Sequence, residues 1–159
     1  MLSEKILSLD ELAAKAAEMR SKGKRVVLCH GTFDLVHMGH IRHLQRAREE
    51  GDLLFVTLTA DEFIKKGPGR PIFKEQLRAE NLASLIFVDF VAVCHEATAM
   101  QAIGAVKPDV YVKGGEYRNA TDDLTGNITR ELALVESLGG CTTFTDEITF
   151  SSSSLLNEH

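Results

Sequence analysis

Short unbroken apolar runs alternate along this chain with stretches in which apolar residues recur every three or four positions. The first periodic stretch covers 8–22, where Leu9, Leu12, Ala13, Ala16 and Met19 share a helical face. Ser8 or Asp10 stands at its capping position and Gly23 at its end. Five apolar runs predict strands: Arg25–Cys29, Asp52–Thr59, Asp89–Cys94, Asp109–Lys113 and Cys141–Phe144. Between them the spacing predicts helices over about Gly39–Glu50, with Ile41, Leu44 and Ala47 inward, then Lys74–Ile86, Thr98–Val106 and Ile128–Leu138. Gly51, Lys107-Pro108 and Gly139-Gly140 supply stops. The stretches 65–71 and 114–126 are expected as loops, and Thr149–Asn157 as a Ser run leading into a short helix.

Strands without alternation are buried on both faces, so helices must cover both sides of the sheet. Repeated strand–helix alternation therefore predicts an α/β fold: a doubly wound, Rossmann-like, five-stranded parallel sheet with helices on both faces. Residues 1–159 are expected to form one domain around one core. In such sheets ligands bind beyond the carboxyl ends of the strands, where the strand order reverses. That rule selects residues 30–40, 59–70 and 113–118.

Charge narrows the partner. Lys plus Arg number 18 against 23 Asp plus Glu, a net charge of -5, which argues against a nucleic-acid partner but leaves room for a local anion site. Cys29, Cys94 and Cys141 are odd in number, form no CxxC pair and lie in or beside apolar runs, so all three are expected as buried free thiols. No signal peptide and no apolar run near membrane-spanning length is visible; a cytoplasmic location and no membrane partner are the expectation.

The chemistry concentrates in His30-Gly31-Thr32-Phe33-Asp34-Leu35-Val36-His37-Met38-Gly39-His40, between the first strand and the second helix. A helix start offers unpaired N–H groups and positive dipole to an anion. Gly31 and Gly39 allow close backbone approach, and Thr32 offers a hydroxyl or an N–H. His37 and His40 are three apart and share the first helical turn, where both can donate to phosphate oxygens. Zinc fits poorly, since His43 is off that face and no Cys or carboxylate completes a set. Lys65, Lys66 and Arg70, among glycines after the second strand, suit a mobile basic lid.

GTFD followed by HMGH resembles the signature of the nucleotidylyltransferase superfamily with the H-x-G-H motif. Arg70-Pro71 with Arg78, Val112-Lys113-Gly114-Gly115-Glu116-Tyr117, and Ile148–Asn157 with Ser151, Ser152, Ser153 and Ser154 resemble further elements in order. Within the superfamily the chain is most similar to the adenylyltransferase domain of ADP-heptose synthases, then to glycerol-3-phosphate cytidylyltransferases. It departs from the former at Gln76-Leu77-Arg78, where only Arg78 matches an E-Q-R triplet. The Ser run also replaces a mixed Ser/Thr element.

The resemblance implies transfer of a nucleoside monophosphate from an NTP, ATP favoured, to a sugar 1-phosphate, with pyrophosphate released. His37, His40, Lys66 and Arg78 are the expected catalytic groups. Gly31, Thr32, Phe33, Asp34, Gly39, Lys113, Gly114, Gly115, Ser151, Ser152 and Ser153 are expected to bind nucleotide, although Phe33 also suits the core. Lys65, Arg70 and Tyr117 are expected to bind the acceptor, and Arg118 is an alternative cover for base or acceptor. Mg²⁺ (or Mn²⁺) would be held mainly by the triphosphate, with Asp34 as its protein contact. A homodimer and a fused sugar kinase domain are further expectations. The rivals are a CTP-dependent enzyme acting on an alcohol phosphate, a non-catalytic nucleotide sensor and, weakest, an aminoacyl-tRNA-synthetase-like unit, for which the chain lacks a lysine-rich motif.

Overall fold

The structure, a computed structural model, describes residues 2–115 and 126–146. Among these residues six strands form one all-parallel sheet: β1 (Ile6–Leu7), β2 (Val26–Gly31), β3 (Leu53–Thr59), β4 (Phe90–Cys94), β5 (Val110–Gly114) and β6 (Cys141–Thr145). The order is β1-β4-β3-β2-β5-β6, so direction of winding reverses between β2 and β5. The sequence pattern predicts five strands; the sixth, β1, is two residues pairing with Val91 and Ala92 at the sheet edge. So short a run carries no periodicity.

The helices are α1 (Leu9–Ser21), α2 (Met38–Arg48), α3 (Glu75–Ala83), α4 (Met100–Val106) and α5 (Asn127–Ser137). One core cluster joins Val27, Cys29, Val56 and Leu58 of the sheet to Leu44 and Ala47 of α2 and Ala79 and Leu82 of α3. The other joins Val26, Leu28, Phe55 and Tyr111 to Leu12 and Ala16 of α1, Ile103 and Val106 of α4 and Val135 of α5. Adjacent strand residues thus enter opposite cores, which is why the strands read as continuous apolar runs. The helices differ from the sequence ranges mainly at their ends. Helix α3 begins at Glu75 and stops at Ala83 instead of running to Ile86, which is 91 % exposed.

Side chains at the amino ends of the strands tie the sheet together. Asp109, just before β5, accepts from Val26 N (2.8 Å); Asp89, just before β4, accepts from Leu54 N (2.8 Å); Asp52, just before β3, accepts from Arg25 N (2.7 Å). Each carboxylate satisfies an N–H on the neighbouring chain that begins or precedes the ladder. Ser8 and Glu11 form a reciprocal capping box at the start of α1. Cys29 and Cys94 are buried free thiols as expected, but Cys141 is exposed, because it opens edge strand β6. No helix among the described residues is long and apolar enough to cross a membrane.

Glu131 of α5 is a carboxylate only 7 % exposed, and neutral donors meet it. Tyr111 Oη donates to one oxygen (2.8 Å) and Ala99 N, at the start of α4, to the other (3.4 Å). Tyr111→Phe removes that donor and leaves buried oxygen without it. The unfolding free energy should fall by about 1–3 kcal/mol, read from urea denaturation at an unchanged slope.

Candidate nucleotide and phosphate site

Strand β2 carries the chain to Gly31, and six residues cross the carboxyl edge of the sheet before α2 begins. Phe33 makes this crossing in left-handed backbone, at φ +52, with its ring buried. Gly31 makes room for it: a Cβ there would lie 3.0 Å from Phe33 Cε2. The ring meets the edge of His40 at 5.7 Å between centroids. Phe33 therefore packs in the core and supports His40 from beneath.

The first turn of α2 is capped by imidazoles. His37 is the N-cap, and its Nδ1 accepts from Gly39 N at 3.1 Å. In return His37 N donates to His40 Nδ1 at 3.3 Å. This is a capping box in which two histidines take the places of serine and glutamate. A ring nitrogen that accepts carries no proton, so in this arrangement the ring proton of each sits on Nε2. The rings lie 4.0 Å apart, tilted by 34°. The H-x-x-H spacing thus satisfies the helix start and leaves the ring protons on Nε2, that of His40 facing the Leu35 carbonyl.

Burial first, then the charges of His37, His43 and Lys66, lower the His40 pKa to about 4, against a weaker opposing bond to the Leu35 carbonyl. His40 is neutral at neutral pH. His30, at the end of β2, is lowered to about 3 by burial and then by Lys113. Its Nδ1 meets Thr57 Oγ1 at 2.8 Å and its Nε2 meets Thr59 Oγ1 at 3.4 Å. His43 Nδ1 meets Thr145 Oγ1 at 2.9 Å, tying α2 to the end of β6.

Asp34 is occupied. Arg70 Nε (2.8 Å) and Ile72 N (2.9 Å) donate to Oδ2, and Phe73 N donates to Oδ1 (3.0 Å). Burial would push its carboxyl up, but the bonds from Phe73 and Ile72 and then the bond and charge of Arg70 together hold it below the usual range. Asp34, expected at Mg²⁺, has a side chain without exposed surface and three donors on it, which suits a metal ligand poorly. No group of three His, Cys, Asp or Glu able to hold a metal occurs among the described residues.

Arg70 shows the opposite condition. Its side chain is 8 % exposed, and Nη2 is buried with no hydrogen-bond partner among the described residues. A buried guanidinium N–H without an acceptor suits an anion or water. Lys66 is an exposed residue, yet its ammonium feels enough neighbouring matter to lower its pKa, by desolvation first and then by Arg70, with Asp34 opposing. Lys65 is exposed on the same loop. Arg78, expected on the phosphates, instead spends its donors on Phe73 O, Thr32 O, Thr59 O and Asp61 Oδ1.

At the other side of the β2/β5 switch, Lys113 pairs in register with Phe144 and Gly114 with Thr145. Gly115 has a reason unconnected with a ligand: a Cβ there would lie 2.5 Å from the Thr145 carbonyl oxygen. Tyr117, Arg118 and Ser151, Ser152, Ser153 and Ser154 lie outside the described residues. The structure adds His30 with its two threonines, and Asp61, to the groups along this edge. The sequence signal for His30 is its place directly before the Gly31 turn; Asp61 gives none.

A pH titration of stability follows from the two depressed histidines. Each is neutral when folded and protonates near 6.5 when unfolded, so between those values the unfolded chain binds more protons. The urea midpoint of the ligand-free protein should fall as pH drops from about 6.5 towards 4. His40→Gln should flatten that slope.

The family described as cytidylyltransferase-like matches residues 28–157. The chain is 46 % identical over 123 residues to the bifunctional protein HldE of Syntrophotalea carbinolica, covering 76 % of this chain and 24 % of that protein. To HldE of Geobacter sulfurreducens it is 44 % identical over 138 residues, 86 % of this chain and 27 % of that one. The chain thus spans about a quarter of these curated relatives. A solved lipopolysaccharide core biosynthesis protein from Thermoplasma volcanium superimposes with TM-score 0.62 at 26 % identity, over 81 % of this chain and all of that one. Pantoate-beta-alanine ligase from Francisella tularensis, 14 % identical, shares the fold with TM-score 0.68 over 96 % of this chain and 72 % of its own. With four-fifths of its length matched, and with the paired histidines inside the match, the chain belongs to the cytidylyltransferase-like family.

Proposed function

We propose that this chain is a nucleotidyltransferase that moves a nucleoside monophosphate, AMP by preference, from an NTP to a sugar 1-phosphate and releases pyrophosphate. The observation that carries it is the double imidazole cap of α2, which places two imidazole rings at a helix N-terminus. The buried, unpartnered Nη2 of Arg70 and the crowded ammonium of Lys66 add positive charge on the same side. Similarity to a lipopolysaccharide core biosynthesis protein supports a sugar phosphate as acceptor. The family's description favours one comparator, CTP with an alcohol phosphate.

The reaction is a single in-line displacement. An acceptor phosphate oxygen bonds to the α-phosphorus, the bond from that phosphorus to the bridging oxygen breaks, and the electron pair leaves with pyrophosphate. The acceptor is already anionic, so no strong base is required. The protein's work is positioning and charge stabilisation. His37 and His40 donate to the triphosphate, the His40 N–H exchanging the Leu35 carbonyl for a phosphate oxygen, and Arg70 and Lys66 offset the repulsion between two anions. Mg²⁺ or Mn²⁺ enters this proposal as a companion of the nucleotide, with no ligand assigned to the protein.

The bifunctional description of the HldE proteins, of which this chain spans about a quarter, supports a place as one activity of two. We take the other to be a sugar kinase and the assembled unit to be a homodimer. Neither bears on the chemistry above.

Pyrophosphate release should be measured with ATP, CTP, GTP and UTP against a panel of sugar 1-phosphates and polyol phosphates. ATP with a sugar 1-phosphate is the expected productive pair. CTP with a polyol phosphate would keep the mechanism and change the substrates. Nucleotide binding without turnover across the panel would sink the enzyme reading in favour of a sensor. His40→Ala should lower kcat by about 10²–10³. Arg70→Ala should raise KM more than it lowers kcat, because it removes a charge that meets bound substrate.

A further inference from the structure

Among the described residues, the largest wholly buried side chain is an arginine, Arg78 of α3. A guanidinium has five N–H donors in a planar fork. Arg78 places Nε on Phe73 O (2.9 Å), Nη1 on both Thr32 O (2.8 Å) and Thr59 O (2.8 Å), and Nη2 on Asp61 Oδ1 (2.7 Å). These acceptors come from three separate segments: the crossing after β2, the end of β3 with its following turn, and the stretch entering α3.

Two further bonds close the assembly. Phe73 N donates to Asp34 while Phe73 O accepts from Arg78, so residue 73 is gripped from both sides. Asp61 N donates to Glu75 Oε1 (2.9 Å) while its carboxylate meets Arg78. The segments held in this way carry Thr32, Asp34 and Arg70. A buried cation that faces three carbonyls and one carboxylate has four of its five N–H groups engaged by the protein itself.

We propose that Arg78 is a positioning residue: it locks the three loops of the carboxyl edge in one arrangement and does not itself touch phosphate. The proposal rests on the nucleotidyl-transfer reading for its kinetic test. Lysine keeps the charge but not the planar fork, so it cannot span carbonyls on three segments. Loss of the clamp shifts the phosphate donors by fractions of an ångström while their number stays the same, which affects kcat more than nucleotide binding.

The test compares wild type, Arg78→Lys, Asp61→Asn and the double variant in steady-state turnover with ATP and the productive acceptor. The dependence of the ATP KM on salt and peptide-level hydrogen exchange over 30–36 and 59–75 are read alongside. Arg78→Lys should lower kcat about 10²-fold with the ATP KM moved by less than about 3-fold and its salt dependence unchanged. Exchange should quicken in both segments while the strands keep their protection. Asp61→Asn should lower kcat in the same direction, and less than additively with Arg78→Lys. If Arg78→Lys fails to fold, Asp61→Asn carries the test. A large rise in ATP KM with weaker salt dependence and unchanged exchange would assign Arg78 to the phosphates and overturn the proposal. Normal kinetics with only a lower melting temperature would overturn it too. If wild type itself releases no pyrophosphate with any pair, the nucleotidyl-transfer reading fails, and exchange alone decides the clamp.

Discussion

A parallel sheet covered by helices on both faces leaves one place for chemistry. Its interior accepts apolar side chains, and its amino edge is closed by Asp52, Asp89 and Asp109 on neighbouring backbone N–H groups. Polar groups that must meet a ligand are confined to the carboxyl edge, on segments that the sheet itself does not hold. The edge therefore needs its own internal bonding. Asp34 and Arg78 supply it, one by accepting three donors and the other by offering four, and everything exposed on those loops depends on them.

Charge follows from the same constraint. Lys66, Arg70 and Arg78 lie near enough to influence one another, and the buried carboxylate among them is already bonded. His40, next to this cluster, stays neutral, partly because Lys66 is close. His40 thus meets a negative guest without first shedding a proton. Neutral imidazoles donate hydrogen bonds at no cost in further repulsion between cations.

The alternation of buried runs and periodic stretches was enough to read the parallel, doubly wound architecture, because each signal comes from residues that really do enter one of two cores. β1 escaped because two residues cannot show a period. The place of the paired histidines at the start of α2 was legible from their position after a strand end, as was that of Arg70 on the loop after β3. For Arg78 and Asp34 the sequence shows a charged residue near a loop but not that the protein itself takes up its hydrogen bonds. Gly115 posed a similar difficulty, since a glycine needed by a neighbouring strand looks like one needed by a ligand. Asp61 was missed because an aspartate at a loop start is ordinary until its partner is known.

Gly115 also joins parts of the molecule that are far apart in the chain. The carbonyl it must not obstruct belongs to Thr145, and the hydroxyl of the same threonine holds His43 on α2. One residue at the tip of an edge strand is therefore wedged between the end of β5 and the helix that presents the two capping histidines. A methyl group added at 115 would press on that wedge and be felt by α2 without crossing the sheet. The two sides of the winding reversal are thus pinned together through one threonine.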